Sequence, residues 1–191
     1  MDLTDEQLVG DYLAGNEAAL DRLIGRYLSP VYSFVLRFLA EADLAAEITQ
    51  ETFVKAWSNL ARFDQTRKFK TWIFQIAKNT AYDYLKKKKP LLFSRLTKIS
   101  DEEGDELDFE SSLADPLPLA DELADRRISR ENLLAAIEKL GPEYRSVMFL
   151  RLNEQLEFSE IATVLDRPVN TVKSQYRRAV TRLREMFGPG D

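Results

Sequence analysis

A chain of 191 residues, 45% of them hydrophobic and 10% aromatic, has enough apolar material for one medium domain or two small ones and is not globally disordered. It has no Cys, which excludes a disulfide framework and a thiolate zinc site, and no His, which removes the commonest general base and metal ligand. The formal net charge of -5 is segregated: residues 1–99 carry +3, residues 100–125 carry -11 and residues 126–191 carry +3. Two mildly basic blocks thus flank an acidic segment, an asymmetry that points to polyanion binding by the blocks. No apolar run approaches the ~20 residues that span a bilayer. The acidic start MDLTDEQLVGDY lacks the basic-then-apolar order of a signal peptide, so a soluble cytoplasmic protein without membrane insertion is expected.

The elements read as helices throughout. Thr4 and Gln7 form a capping-box pattern with Leu3 and Leu8 as a staple, and Gly15 suits the stop. Asn16 is placed to cap a second helix with Leu20, Leu23, Ile24 and Tyr27 at helical spacing, which Pro30 either kinks or divides. Asp43 is placed to cap a third helix over 44–60, with Leu44, Ile48, Phe53, Val54, Trp57 and Leu60 apolar and Glu47, Gln50, Glu51 and Lys55 on its polar face. A basic loop over 61–70 leads to a fourth helix over 71–87, which ends in Lys86 to Lys89 and Pro90. Residues 91–127 are acidic, contain Pro116 and Pro118 and lack periodicity, as a flexible linker does.

Helical periodicity resumes near Ile128, with Leu133, Leu134, Ile137 and Leu140 on one face and Gly141-Pro142 as punctuation. The stretch EIATVLDRPVNTVKSQYRRA (160–179) then has the pattern of a helix-turn-helix. Asp166 is suited to a left-handed turn. Val172, Tyr176 or Ala179, and Leu183 face inward, leaving Asn170, Thr171, Lys173, Ser174, Gln175, Arg177 and Arg178 outward. Such side chains contact phosphates and base edges. On periodicity alone, a solvated amphipathic helix accounts for the pattern equally well. The expected fold is all-α, two small helical domains (1–90 and 128–188) joined by the acidic linker 91–127.

TVLDRPVNTVKSQYRRAVTRLRE and the upstream LGPEYRSVMFLR resemble the C-terminal promoter-binding domain of bacterial sigma factors of the extracytoplasmic-function (ECF) group. DLAAEITQETFVKAW (43–57) and KFKTWIFQIAKNTAYDYLKKKK (68–89) are similar to the core-binding and promoter-opening helices of the same family. Two motif sets in the family's order, across about 160 residues, are far more specific than one helix-turn-helix.

The resemblance implies a transcription initiation factor, not an enzyme, that needs no cofactor. It implies core RNA polymerase, through the clamp coiled coil of the largest subunit and the flap, promoter DNA and an anti-sigma factor as partners, with one copy bound per polymerase. It assigns Glu47, Gln50, Glu51 and Lys55 to the clamp. It assigns Arg62, Arg67, Lys68, Lys70, Lys78, Asn79 and Lys86 to the −10 element, with Asn79 lining a pocket for a flipped base. It assigns Thr171, Lys173, Ser174, Gln175, Arg177 and Arg178 to the −35 element. Trp72 is expected in the core and Asp83 in a structural ion pair. Gln175 and Val180 depart from the family pattern, where basic residues are usual. A stand-alone helix-turn-helix regulator and a protein-binding helical adaptor are the competing readings.

Overall fold

A computed structural model describes residues 3–88 and 130–187; the linker 91–127 and Lys89 lie outside them. The described residues form eight α-helices and no strand. They are α1 (Asp5–Leu13), α2 (Glu17–Leu39), α3 (Ala42–Asn59), α4 (Phe69–Lys88), α5 (Arg130–Glu138), α6 (Pro142–Leu152), α7 (Phe158–Leu165) and α8 (Val169–Phe187). A 3-10 turn, Leu60–Arg62, closes α3. The chain divides into two compact units, the first carrying α1–α4 and the second built on α5, α6, α8 and the start of α7.

In the first unit α2, α3 and α4 pack on one another and α1 lies across α2 and α4. The expected capping box is present: Thr4 Oγ1 accepts from Gln7 N at 3.2 Å and Gln7 Oε1 accepts from Thr4 N at 2.9 Å. Gly15 follows α1 at φ 101°, a conformation glycine adopts without steric cost. Pro30 does not divide α2, which runs unbroken through it. One backbone hydrogen bond is lost there. Burial of Leu23, Tyr27, Val31, Phe34, Val35 and Phe38 along one side outweighs it, at ~1.5–3 kcal/mol for each large side chain fully buried.

Two expected caps differ. Asn16 stands at the N-cap of α2 but makes no side-chain cap, and α3 starts two residues earlier than the Asp43 reading, with Glu41 at its N-cap. Asp43 instead lies in the first turn, where its charge still favours the helix dipole. The core of this unit is aromatic: Phe34 meets Phe74 edge-to-face at 5.4 Å and Tyr27 meets Phe69 at 5.2 Å. Thr49 and Thr52, polar by sequence, are buried because each hydroxyl donates back to the carbonyl one turn earlier, at 2.7 Å.

In the second unit α8 packs mainly on α6. Pro142 begins α6 as expected, where its missing N–H costs nothing. Tyr144, Val147, Met148 and Leu150 of α6 are buried, as are Val172, Tyr176, Ala179 and Leu183 of α8. Tyr176 meets Phe158 of α7 edge-to-face at 5.4 Å. Charge is buried here too. Glu143 Oε1 accepts from Arg167 Nη2 at 2.9 Å, and Arg145 Nη1 lies 3.5 Å from Glu138 Oε2. The first pair ties the start of α6 to the turn before α8.

Candidate nucleic-acid and polymerase-binding sites

The end of α3 and one face of α4 enclose a polar pocket of about 570 Å³. Lys55, Asn59 and Arg62 line one wall and Trp72, Ile76, Asn79, Thr80 and Asp83 the other. Both walls follow from helical spacing: 55, 59 and 62 lie one above another, as do 76, 79, 80 and 83. Asn79 is exposed, with its amide available to a ligand edge, and Arg62 is exposed at the rim. The expected ion pair of Asp83 forms with Lys55 at 3.8 Å, while Lys55 also pairs with Glu51 at 2.9 Å. The buried Thr80 hydroxyl has no hydrogen-bond partner among the described residues. Asn59, Ile76 and Thr80 are not assigned to the site from sequence, although Asn59 stands four residues after Lys55, and Ile76 stands three before Asn79 and four before Thr80.

The loop leading to α4 is held by its own side chains. Asp64 Oδ1 accepts from Thr66 Oγ1 at 2.7 Å and from Thr66 N at 3.0 Å. These two bonds, the hydroxyl's first, hold the Asp64 carboxyl below its ordinary range, with Arg67 adding to them. The loop presents Arg67 and Lys68 to solvent; Lys70 is half-buried and Lys86 exposed on the last turn of α4.

Lys78 is a correction. It is only 8% exposed, with Nζ 4.7 Å above the Tyr82 ring. Position 78 falls on the stripe of Phe74, Ala81 and Leu85, so its side chain lies along the core. Trp72 is half-buried instead of fully internal: it packs 5.0 Å from Phe63 and 5.6 Å from Phe69 while lining the pocket.

A second, apolar groove of about 660 Å³ runs between α2 and α3. Ile24, Leu28 and Tyr32 form one side and Gln50, Phe53, Val54 and Trp57 the other. Val54, expected in the core, is 58% exposed here, and Leu28 is 50% exposed. Exposed apolar surface of this kind marks binding sites. Gln50 lines the groove, with Glu47 and Glu51 exposed beside it. Lys55, paired with Glu51, lines the polar pocket and not the groove. At ~100° per residue, the groove positions 50, 54 and 57 lie roughly half a turn from the pocket positions 55 and 59. One helix therefore serves two sites on roughly opposite faces.

In the second unit α7 and α8 form a helix-turn-helix. Glu157 and Glu160 make a reciprocal capping box at the start of α7, with Glu160 Oε2 accepting from Glu157 N at 2.8 Å. Asp166 takes the left-handed turn at φ 56°, as expected from its side chain. Arg167, held by Glu143, follows it. Of the residues expected outward on α8, Thr171, Lys173, Ser174, Arg177 and Arg178 are half-buried and Asn170 is exposed.

Gln175 is the second correction. It is 5% exposed, and its Oε1 has no hydrogen-bond partner among the described residues. Positions 172, 175, 176, 179, 180 and 183 make one helical stripe, so Gln175 and Val180 face the interior.

Residues 23–90 match the family Sigma-70 region 2, and residues 130–183 match Sigma-70, region 4. The ECF RNA polymerase sigma-E factor of Escherichia coli (strain K12) is 34% identical over 185 residues, covering 93% of this chain and 91% of that protein. The RNA polymerase sigma-H factor of Pseudomonas aeruginosa is 31% identical over 182 residues, 92% of this chain and 89% of that protein. The ECF RNA polymerase sigma factor SigW of Bacillus subtilis is 29% identical over 98% of both. Among solved structures, CnrH in complex with the cytosolic domain of CnrY superposes with a TM-score of 0.61 at 24% identity, covering 96% of each chain. The sigma factor RpoE of Bartonella quintana, in complex with the anti-sigma factor NepR, gives 0.60 at 21% identity, covering 88% of this chain and 96% of that one. Motifs, all-α fold and near full-length similarity agree, and the chain belongs to the ECF family of RNA polymerase sigma factors.

Proposed function

We propose that this sigma factor engages core RNA polymerase through the α2–α3 groove and opens promoters with the pocket on the other side of α3. The observation that carries this reading is the pair of sites on one helix. A partner helix seated along Leu28, Val54 and Trp57 meets Gln50 and the carboxylates of Glu47 and Glu51 at its rim, which suits a basic clamp coiled coil. The same contact fixes the wall that carries Lys55, Asn59 and Arg62, so docking and base capture share a rigid element.

A −10 base flipped out of the stack enters the pocket, where the Asn79 amide pairs with its edge and Trp72 offers an aromatic wall. Arg62, Arg67, Lys68 and Lys70 hold the adjoining phosphates, and Lys86 the duplex upstream. In the second unit, Lys173, Ser174, Arg177 and Arg178 read the −35 element, with Thr171 on phosphate near the helix start. That unit also meets the polymerase flap. The segment 100–125, at charge -11, occupies positively charged nucleic-acid paths of the polymerase and gives way to RNA.

The chain catalyses no reaction of its own and works in the cytoplasm, one copy per polymerase. An anti-sigma factor controls it by covering the groove. Support for that control is the exposed apolar surface together with the NepR complex of the Bartonella protein.

Transcription by core polymerase with this chain on a promoter library tests the reading. New start sites preceded by shared −10 and −35 sequences are expected. Absent start sites with tight duplex binding by the chain alone would favour the stand-alone regulator, and absence of both the adaptor.

A further inference from the structure

We propose that Glu6, on the N-terminal helix, is a positioning residue for promoter opening: it holds the start of α4 and, through it, the aromatic wall of the −10 pocket. The inference rests on reading that pocket as the base-capture site. Helix α1 lies wholly outside the residues that match Sigma-70 region 2, which begin at residue 23.

The first amides of any helix have no partner within it. Phe69 is the first residue of α4, and its N–H donates to Glu6 Oε1 at 2.9 Å, across 63 positions of sequence. A carboxylate there satisfies a donor and sits at the positive end of the helix dipole, so it does the work of an N-cap from a distant helix. Phe69 is fully buried and meets Tyr27 at 5.2 Å, Phe63 at 5.6 Å and Trp72 at 5.6 Å. Phe63 begins the loop after Arg62, and Trp72 lines the pocket. Fixing Phe69 therefore fixes both.

The helix that carries Glu6 is itself anchored. Its neighbour Asp5 accepts from Arg26 Nη1 at 2.7 Å and from the Tyr27 hydroxyl, and the Thr4–Gln7 box closes its first turn. A second point of approach supports the same role: a Cβ added at Gly10 stands 3.6 Å from Gln65 Oε1, so the loop lies against α1 there as well. The clasp ties α1 to the start of the helix that carries the pocket; none of its residues lines the polymerase groove.

The test compares open-complex formation on a duplex promoter and on the same promoter with the −10 region pre-melted, using core polymerase and the full chain. Glu6→Ala is expected to slow opening on the duplex roughly fivefold, as for a lost helix cap. It is expected to match the wild-type chain on the pre-melted template and in core affinity. Glu6→Gln keeps an acceptor oxygen and is expected to stay within about twofold of wild type. In wild type the Phe69 amide is expected to exchange slowly, unlike a free first-turn amide. Wild-type opening by Glu6→Ala, an equal loss on the pre-melted template, a Glu6→Gln loss as large as that of Ala, or fast exchange at Phe69 each overturns the proposal. The exchange measurement stands even if Glu6→Ala fails to fold. An inactive wild-type chain overturns the sigma reading itself, and this inference with it.

Discussion

The two units solve the same problem, presenting polar side chains on a packed helix, by different means. In the first unit the interior is apolar and aromatic apart from Lys78, whose ammonium lies over the Tyr82 ring, and its buried hydroxyls at Thr49 and Thr52 bond within their own helix. Its candidate binding surfaces are cavities on two sides of α3. The second unit buries charges, and the turn before α8 is held by the Glu143–Arg167 pair. Volume-conserving apolar changes cost little, whereas a buried ion pair leaves an uncompensated charge when one member is removed. The position of α8 should therefore be the more fragile of the two.

The largest expected effect breaks that pair. Arg167→Ala should destabilise the second unit by about 3–5 kcal/mol, because Glu143 is left buried without its partner. Urea denaturation followed by signals from each unit checks it: the second unit should lose stability and the first should not. Equal loss in both would remove the contrast drawn above.

Next is the groove. Val54→Asp places a charge on exposed apolar surface and should weaken core binding tenfold or more, about 1.4 kcal/mol upward, with little change in melting temperature. Gln50→Ala combined with Glu51→Ala should act in the same direction but less. Fluorescence titration with core polymerase measures both, and unchanged affinity would take the clamp contact away from α3.

A smaller effect separates interior from exterior on α8. Gln175→Leu removes a buried amide oxygen without a hydrogen-bond partner among the described residues and should stabilise the second unit by ~1 kcal/mol, leaving −35 preference as it was. Lys173→Ala should instead weaken DNA binding and lower the salt slope by about 1. A changed base preference in selection with Gln175→Leu would return that residue to the DNA.

The smallest concerns α4. Lys86→Ala should reduce the salt dependence of promoter binding by about one phosphate contact, while Lys78→Met should leave it unaltered. Binding measured across a salt series distinguishes the two lysines.

The misplaced residues have a common cause. Lys78 and Gln175 were placed on reading faces by their polarity and by family position. Each nevertheless sits three or four positions from deeply buried neighbours, Phe74 and Ala81 for one, Val172 and Ala179 for the other. Long polar side chains can bury their stems along a core stripe, so residue type overrode a periodicity that pointed inward. Val54 erred the other way. Its apolarity suggested the core, but its angle on α3 faces the groove, and an apolar binding surface has the composition of a core until the partner is known.

By itself the sequence determined the helical composition, the cap at Thr4, the left-handed turn at Asp166, the start of α6 at Pro142 and the family. All of these depend on residues within a turn or two of one another, or on motif order along the chain. Only the tertiary structure decided that Lys55 joins Asn79 across two helices, that α2 and α3 leave a groove between them, and that Glu6 reaches Phe69 over 63 positions. Local spacing fixes which side of a helix a residue occupies. What stands opposite that side is settled by packing between distant segments, and one chain's periodicity carries no record of it.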